Sequence, residues 1–176
     1  MYIRYIDWFY RLKEDTVKVN EFIAGGGYGR VYKGTYRRKK AAIKVFSKRL
    51  DSMDDDELKE ITKEFKLMKS LKHRNTVRSF GFIKYDSCLA LVMEYADKGP
   101  LTKWIEDPRF RENIQQQYET LLDVALGLSY IHSKNIIHRD LKPDNILIFR
   151  ARNSLRIAKI TDFGESRVRS FIQFIF

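Results

Sequence analysis

Between residues 17 and 46 the chain is rich in β-branched and aromatic residues, broken by Gly25-Gly26-Gly27 and by the basic stretch Arg37-Arg38-Lys39-Lys40. That pattern predicts three strands in meander order, at about 17–23, 30–36 and 41–46. From 54 to 71 the spacing becomes helical: Leu58, Ile61, Phe65, Met68 and Leu71 fall on one stripe, behind the acidic first turn Asp54 to Glu57. Two more strands are expected near 77–83 and 88–95, joined across Tyr85-Asp86-Ser87. After Asp97-Lys98-Gly99-Pro100 a helix is expected, with Ile114, Tyr118, Leu121, Leu122, Ala125 and Leu128 along one face and an end near Ser133-Lys134-Asn135. A strand-rich half followed by a helix-rich half, changing near residue 96, predicts an α+β fold of two lobes joined by a short hinge.

Composition sets the class and no chemistry. With 44% hydrophobic and 32% charged residues the chain reads as a globular protein able to bury a core. The formal charge of +11 would attract phosphates or acidic segments. Its cations sit beside acidic clusters such as Asp54-Asp55-Asp56-Glu57, and no nucleic-acid reading motif accompanies them. A solvated surface is therefore expected rather than a nucleic-acid interface. One cysteine, Cys88, excludes an intrachain disulfide and a cysteine-based zinc cluster. Residues 1–11 are interrupted by Arg4, Asp7 and Arg11, and no stretch approaches the roughly 20 apolar residues of a membrane span. The expectation is a cytoplasmic or nuclear protein without a membrane partner; nothing in the sequence fixes its oligomeric state.

Three features carry candidate chemistry in the first half. Ala24-Gly25-Gly26-Gly27-Tyr28-Gly29-Arg30-Val31 follows G-x-G-x-x-G-x-V at Gly26, Gly29 and Val31, with Ala24 in place of the first glycine. Glycine lets backbone N–H groups approach phosphate oxygens without a Cβ in the way. Lys44 ends Ala41-Ala42-Ile43-Lys44 between two apolar neighbours, so its charge needs an anionic partner. Glu64 lies on or beside the apolar stripe of the following helix, where a carboxylate is costly unless paired. Each residue answers the other, and the pair would hold Lys44 against the α- and β-phosphates of a nucleotide.

The most specific stretch is His138-Arg139-Asp140-Leu141-Lys142-Pro143-Asp144-Asn145, followed by apolar Ile146-Leu147-Ile148 and, further on, by Asp162-Phe163-Gly164. It matches H-R-D-L-x-x-x-N at each fixed position, and with the glycine loop, Lys44 and Glu64 in the same order the chain resembles the eukaryotic protein kinase family, serine/threonine type. The resemblance implies a five-stranded antiparallel N-lobe with one long helix and a partial helical C-lobe. It places an N-terminal extension at 1–16, the N-lobe at 17–95, the hinge at 96–99, the C-lobe portion at 100–164 and a tail at 165–176.

The resemblance further implies ATP and Mg²⁺ as cofactors and a protein Ser or Thr hydroxyl as phosphoryl acceptor. Asp140 resembles the catalytic base, and Asn145 and Asp162 the magnesium ligands. Lys142 resembles the lysine that steadies the transferred group in serine/threonine kinases, with Lys44 and Glu64 completing the catalytic set. Ile23, Ala24 and the loop Gly25, Gly26, Gly27, Tyr28 and Gly29 would cover the nucleotide. Val31 and Ala42 would lie above the adenine and Leu147 below it. Glu94-Tyr95-Ala96 resembles the hinge whose backbone bonds the adenine edge, and Met93 the position controlling access behind it.

In the family the chain continues through an activation segment, an Ala-Pro-Glu motif and further helices, whereas residues 165–176 here carry no such motif. The expectation drawn from this is exposed apolar surface on the helix around 118–131 and a chain that binds Mg-ATP better than it transfers phosphate. The alternative to an active kinase is accordingly a nucleotide- or partner-binding kinase fragment. The terminal Phe171-Ile172-Gln173-Phe174-Ile175-Phe176 is apolar, uncharged and β-prone.

Overall fold

A computed structural model of the chain describes residues 11–27, 29–151 and 156–168. The terminal apolar run lies outside them, as does Tyr28 of the glycine loop. The chain forms two compact units, Met1–Ser70 with Arg78–Tyr95, and Leu71–Val77 with Ala96–Phe176.

The first unit is built on one antiparallel sheet of β1 (Val17–Gly26), β2 (Gly29–Tyr36), β3 (Lys39–Arg49), β4 (Ser79–Tyr85) and β5 (Cys88–Glu94), ordered β1-β2-β3-β5-β4. Side chains of a strand alternate between faces, and cross-strand partners share a face. The register pairs Ile43 with Tyr32 and Val92, and Val45 with Ala90. Ile43, Val45, Ala90 and Val92, with Val17, Ala41 and Ile83, make one buried cluster on one face, against which half-buried Tyr32 packs. The opposite face receives α1 (Asp55–Ser70), whose Phe65 meets Phe82 edge-on at 5.2 Å. A reciprocal cap starts that helix: Asp54 Oδ1 accepts the N–H groups of Asp56 and Glu57, while Glu57 Oε2 accepts that of Asp54. Leu58, Phe65 and Met68 of the expected stripe are buried and Ile61 is half-buried.

Strands β1 and β3 run longer than the apolar pattern implied, because backbone pairing continues past the last apolar residue. The β1 ladder extends to Gly26↔Gly29, and β3 continues to Arg49↔Cys88.

The second unit contains α2 (Leu101–Ile105), α3 (Pro108–Arg111), α4 (Ile114–Ser133), β6 (Ile136–Ile137), β7 (Ile146–Phe149), β8 (Ile157–Ile160) and β9 (Arg167–Val168). β7 pairs with β8 and β6 with β9. Leu101, Phe110, Val124, Ile146, Ile148 and Ala158 form its buried cluster.

One sequence expectation is corrected here and another is met. The units do not divide at a single point near residue 96: residues 71–77 pack with the second unit, where Val77 N–H donates to Ile160 O at 2.8 Å and fully buried Asn75 bonds Ala158 O at 2.9 Å. The apolar surface expected to be exposed around 118–131 is exposed on α4, which packs through other residues. Thr120, Val124, Gly127 and Ile131 are buried, whereas Ile114, Tyr118, Leu121 and Leu122 are 46–79% exposed among the described residues. Small and β-branched residues face inward because the helix runs close to the backbone of residue 75. A Cβ on Gly127 would stand 2.8 Å from Asn75 O. Leu128 alone of the expected stripe touches the core cluster.

Candidate active site

In the first unit the β-ladder assembles one group of candidate residues by register. Val31 pairs with Ala24 on β1 and Lys44 on β3, while Ala42 pairs with Met93 and Lys44 with Leu91 on β5. Ala24, Val31, Ala42, Lys44 and Met93 therefore share the face that receives α1. Lys44 Nζ lies 3.7 Å from Glu64 Oε1, and both side chains are nearly buried, at 13% and 11% exposed. That separation makes an ion pair but is too long for a hydrogen bond. The Lys44 ammonium also stands 5.5 Å from the centre of the Phe46 ring.

The glycines of the β1–β2 turn divide into two kinds. Gly29 has φ +149°, and a Cβ there would strike Val45 O at 2.3 Å, so it is glycine for reasons of fold. A Cβ on Gly26 or Gly27 would meet nothing within 4 Å. The backbone at those two positions is bare toward open space, which suits close approach by phosphate oxygens. Ile23 is exposed, and a Cβ on Gly25 would meet the Phe22 ring at 3.4 Å. Glu94 uses its N–H and a carboxylate oxygen on Arg78, at 3.0 and 2.7 Å, which anchors β5 where Ala96 and Tyr95 follow.

In the second unit the segment between β6 and β7 folds around Asp140. Lys142 Nζ donates to Asp140 Oδ2 at 2.8 Å; Asn145 Nδ2 donates to the same oxygen at 3.0 Å and to Asp140 O at 2.8 Å. The Lys142 hydrogen bond, offset by some desolvation, holds the Asp140 carboxyl below its ordinary value of 3.8. Lys142 is raised in turn, first by that bond and then by the charges of Asp140, Asp162 and Asp144. Arg139, just before Asp140, has φ 71°, a left-handed conformation that costs a non-glycine residue about 1 kcal/mol.

Asp162 is placed by its neighbours. Thr161 N–H donates to Asn145 O at 3.0 Å, and Thr161 O accepts from buried His138 Nε2 at 2.9 Å. Phe163 is 1% exposed and packs 5.0 Å from the His138 ring. Between them Asp162 adopts φ 61°, which a short polar side chain tolerates better than a bulky one. His138 thus ties the Asp140 segment to the Asp162 segment; its motif position was visible in the sequence, but this task was not. Leu147 faces away from the core that holds Ile146 and Ile148, and is half-buried.

The donor set suits magnesium shared with phosphates. Both hydrogens of the Asn145 amide are spent on Asp140, so Oδ1 is the atom it has left for a cation. Among the described residues no group of three or more His, Cys, Asp or Glu side chains could hold a metal by itself. An amide oxygen and a carboxylate completed by phosphate and water oxygens match the preference of Mg²⁺.

The protein kinase domain family matches residues 17–170 of this sequence. The chain belongs to the protein kinase family. It is 40% identical over 152 residues to the RGS domain-containing serine/threonine-protein kinase A of Dictyostelium discoideum, covering 86% of this chain and 13% of that protein. It is 32% identical over 163 residues to serine/threonine-protein kinase STY46 and 30% identical over 164 residues to STY17, both of Arabidopsis thaliana. Each of those two matches covers 93% of this chain and 27% of the relative. The relatives are kinases of the serine/threonine type, and the chain spans between about an eighth and about a quarter of their length. The first unit is the kinase N-lobe with its five-stranded sheet and one long helix, and the second carries the catalytic-loop portion of the C-lobe. Membership implies use of ATP.

Proposed function

We propose that this chain carries the phosphoryl-transfer site of a protein serine/threonine kinase, moving the γ-phosphate of Mg-ATP to a Ser or Thr hydroxyl. The observation that carries the reading is the arrangement around Asp140, where one carboxylate oxygen takes hydrogen bonds from both Lys142 and Asn145. This fixes the carboxylate with Oδ1 turned to another partner, and a substrate hydroxyl is the partner the family chemistry calls for. A carboxylate held below its ordinary value is fully ionised at neutral pH but a weak base. Such a group orients the hydroxyl and takes its proton late, which suffices for a loose transition state in which positioning and charge stabilisation dominate.

Lys142 would neutralise charge gathering on the transferred group, and Lys44, steadied by Glu64, would hold the α- and β-phosphates. The bare backbone at Gly26 and Gly27 would receive phosphate oxygens, with Ile23, Ala24, Gly25 and Gly29 shaping the same turn. Val31, Ala42, Met93 and Leu147 supply apolar surface for the adenine, and the backbone of Glu94 and Ala96 its polar edge. Asn145 and Asp162 would hold magnesium, which when bound offsets phosphate charge. A cytoplasmic or nuclear setting fits this reading.

The test is transfer of labelled γ-phosphate by the full chain to Ser-, Thr- and Tyr-containing peptides, with Asp140→Asn in parallel. Incorporation into Ser or Thr peptides that needs Mg²⁺ and is lost in the variant is expected. ATP binding with no such transfer under any of these conditions would favour a nucleotide-binding role.

A further inference from the structure

We infer that Asn75 and Asp123 are positioning residues for Asp162, acting through the outer edge of β8; the inference rests on reading Asp162 as a metal ligand. β8 pairs with β7 along one edge. On its other edge Ala158 N–H donates to Asp123 Oδ2 at 2.9 Å, and Ala158 O accepts from Asn75 Nδ2 at 2.9 Å. Ile160 N–H donates to Asn75 O at 2.9 Å, and Ile160 O accepts from Val77 N–H at 2.8 Å. The strand edge that would otherwise be open is thus closed by one connector and one helix side chain.

The two side chains are also bonded to each other, Asn75 Nδ2 to Asp123 Oδ1 at 2.7 Å. Both carboxylate oxygens and both amide hydrogens are therefore committed, which defines one orientation for each group. Asn75 is 0% exposed, and its Oδ1 is buried without a hydrogen-bond partner among the described residues. An apolar side chain would fill that space without stranding an acceptor, so what the amide contributes is its two donors, aimed at Asp123 and β8. The helix that carries Asp123 is seated against the same residue through the close approach of Gly127 to Asn75 O.

From Ile160 the chain passes through Thr161 to Asp162. One side of this run is set by β7 and Asn145, the other by Asn75 and Asp123. Without the pair, β8 would be held by side-chain bonds on neither outer position, and the Asp162 carboxylate would lose definition relative to Asn145. Groups that orient metal ligands from behind affect affinity by about 10–100-fold. The lower end is expected here, because the Asn75 backbone bond to Ile160 survives substitution.

The experiment measures ATP affinity of the full chain by calorimetry with and without Mg²⁺. In wild type Mg²⁺ should tighten ATP binding, and Asp162→Asn should abolish that gain. Asn75→Ala should reduce the gain about tenfold and leave the Mg-free affinity unchanged. Asp123→Asn, which keeps one acceptor oxygen, should fall between wild type and Asp123→Ala. Ile83→Ala, in the core of the other unit, serves as a destabilised control that keeps the full gain. If wild type shows no gain, or Asp162→Asn retains it, the metal-ligand reading fails and the inference falls with it. If Asp162→Asn loses the gain while Asn75→Ala keeps it, or if Ile83→Ala loses it equally, the positioning role alone is overturned. Should Asn75→Ala not fold, the graded Asp123 series decides by the same criteria.

Discussion

Lys142 Nζ sits 2.8 Å from Asp140 Oδ2, so the proposed base and the proposed phosphoryl-steadying cation are one hydrogen-bonded unit before any substrate arrives. The bond has a pH consequence whose sign is fixed. The folded carboxyl titrates below its ordinary 3.8, so the stability it contributes is present above that value and disappears as pH falls through the depressed one. In Lys142→Met the Asp140 carboxyl should titrate closer to 3.8. Carbon-detected NMR titration of Asp140 in both proteins measures this; an unchanged midpoint would remove Lys142 as the cause.

The two kinds of glycine in the β1–β2 turn should separate under substitution. Gly29→Ala places a Cβ 2.3 Å from Val45 O and should cost about 2–4 kcal/mol of stability, read from denaturant unfolding. Gly26→Ala meets nothing within 4 Å and should change stability by less than about 0.5 kcal/mol. Its effect should appear in ATP affinity, lowered about tenfold, equivalent to about 1.4 kcal/mol. Equal ATP affinity in Gly26→Ala and wild type would argue that phosphates do not approach that backbone.

Lys44→Met keeps most of the side-chain stem in its nearly buried position but removes the ion pair with Glu64. Stability should shift by less than about 2 kcal/mol, since the pair is separated by 3.7 Å and the apolar part is replaced. Phosphate transfer should fall on the order of a hundredfold or more, because a charge aimed at the phosphates is lost. Comparing thermal melts with single-turnover rates distinguishes this from simple unfolding, which would lower both together.

Gly127→Ala tests whether α4 needs its close approach to residue 75. Helix propensity alone favours alanine by about 1 kcal/mol. The new Cβ would lie 2.8 Å from Asn75 O and 3.0 Å from Ile160 Cδ1, a contact with backbone that cannot yield cheaply. Overpacking should win, giving a net loss of about 1–2 kcal/mol in chemical denaturation. A stabilised variant would mean that the helix can withdraw without cost.

Much of the fold could be read from local pattern because its signals are local. The strands of the first unit follow from β-branched runs punctuated by glycine and basic turns. The start of α1 follows from Asp54 and Glu57, whose reciprocal cap needs only a spacing of three residues. The candidate residues were legible for the same reason: Asp140, Lys142 and Asn145 lie within one short segment, so their mutual hydrogen bonds are nearly dictated by chain geometry.

What needed the tertiary structure was which residues α4 buries and every contact over long sequence separation. On α4 the larger apolar residues Tyr118, Leu121 and Leu122 stay exposed while Thr120, Val124 and Gly127 are buried. Periodicity reports which residues share a face; it cannot report which face a neighbouring backbone will approach. The polar stretch His73-Arg74-Asn75 reads as a loop between helix and strand, yet Asn75 is wholly buried and bonded to Asp123 and Ala158. Nothing local marks it, because the reason for its burial is an open strand edge more than eighty residues away whose N–H and C=O groups must be satisfied. The sequence by itself determined which groups are candidates for the chemistry; the packing of β8 between β7 and residue 75 decided how the run into Asp162 is held.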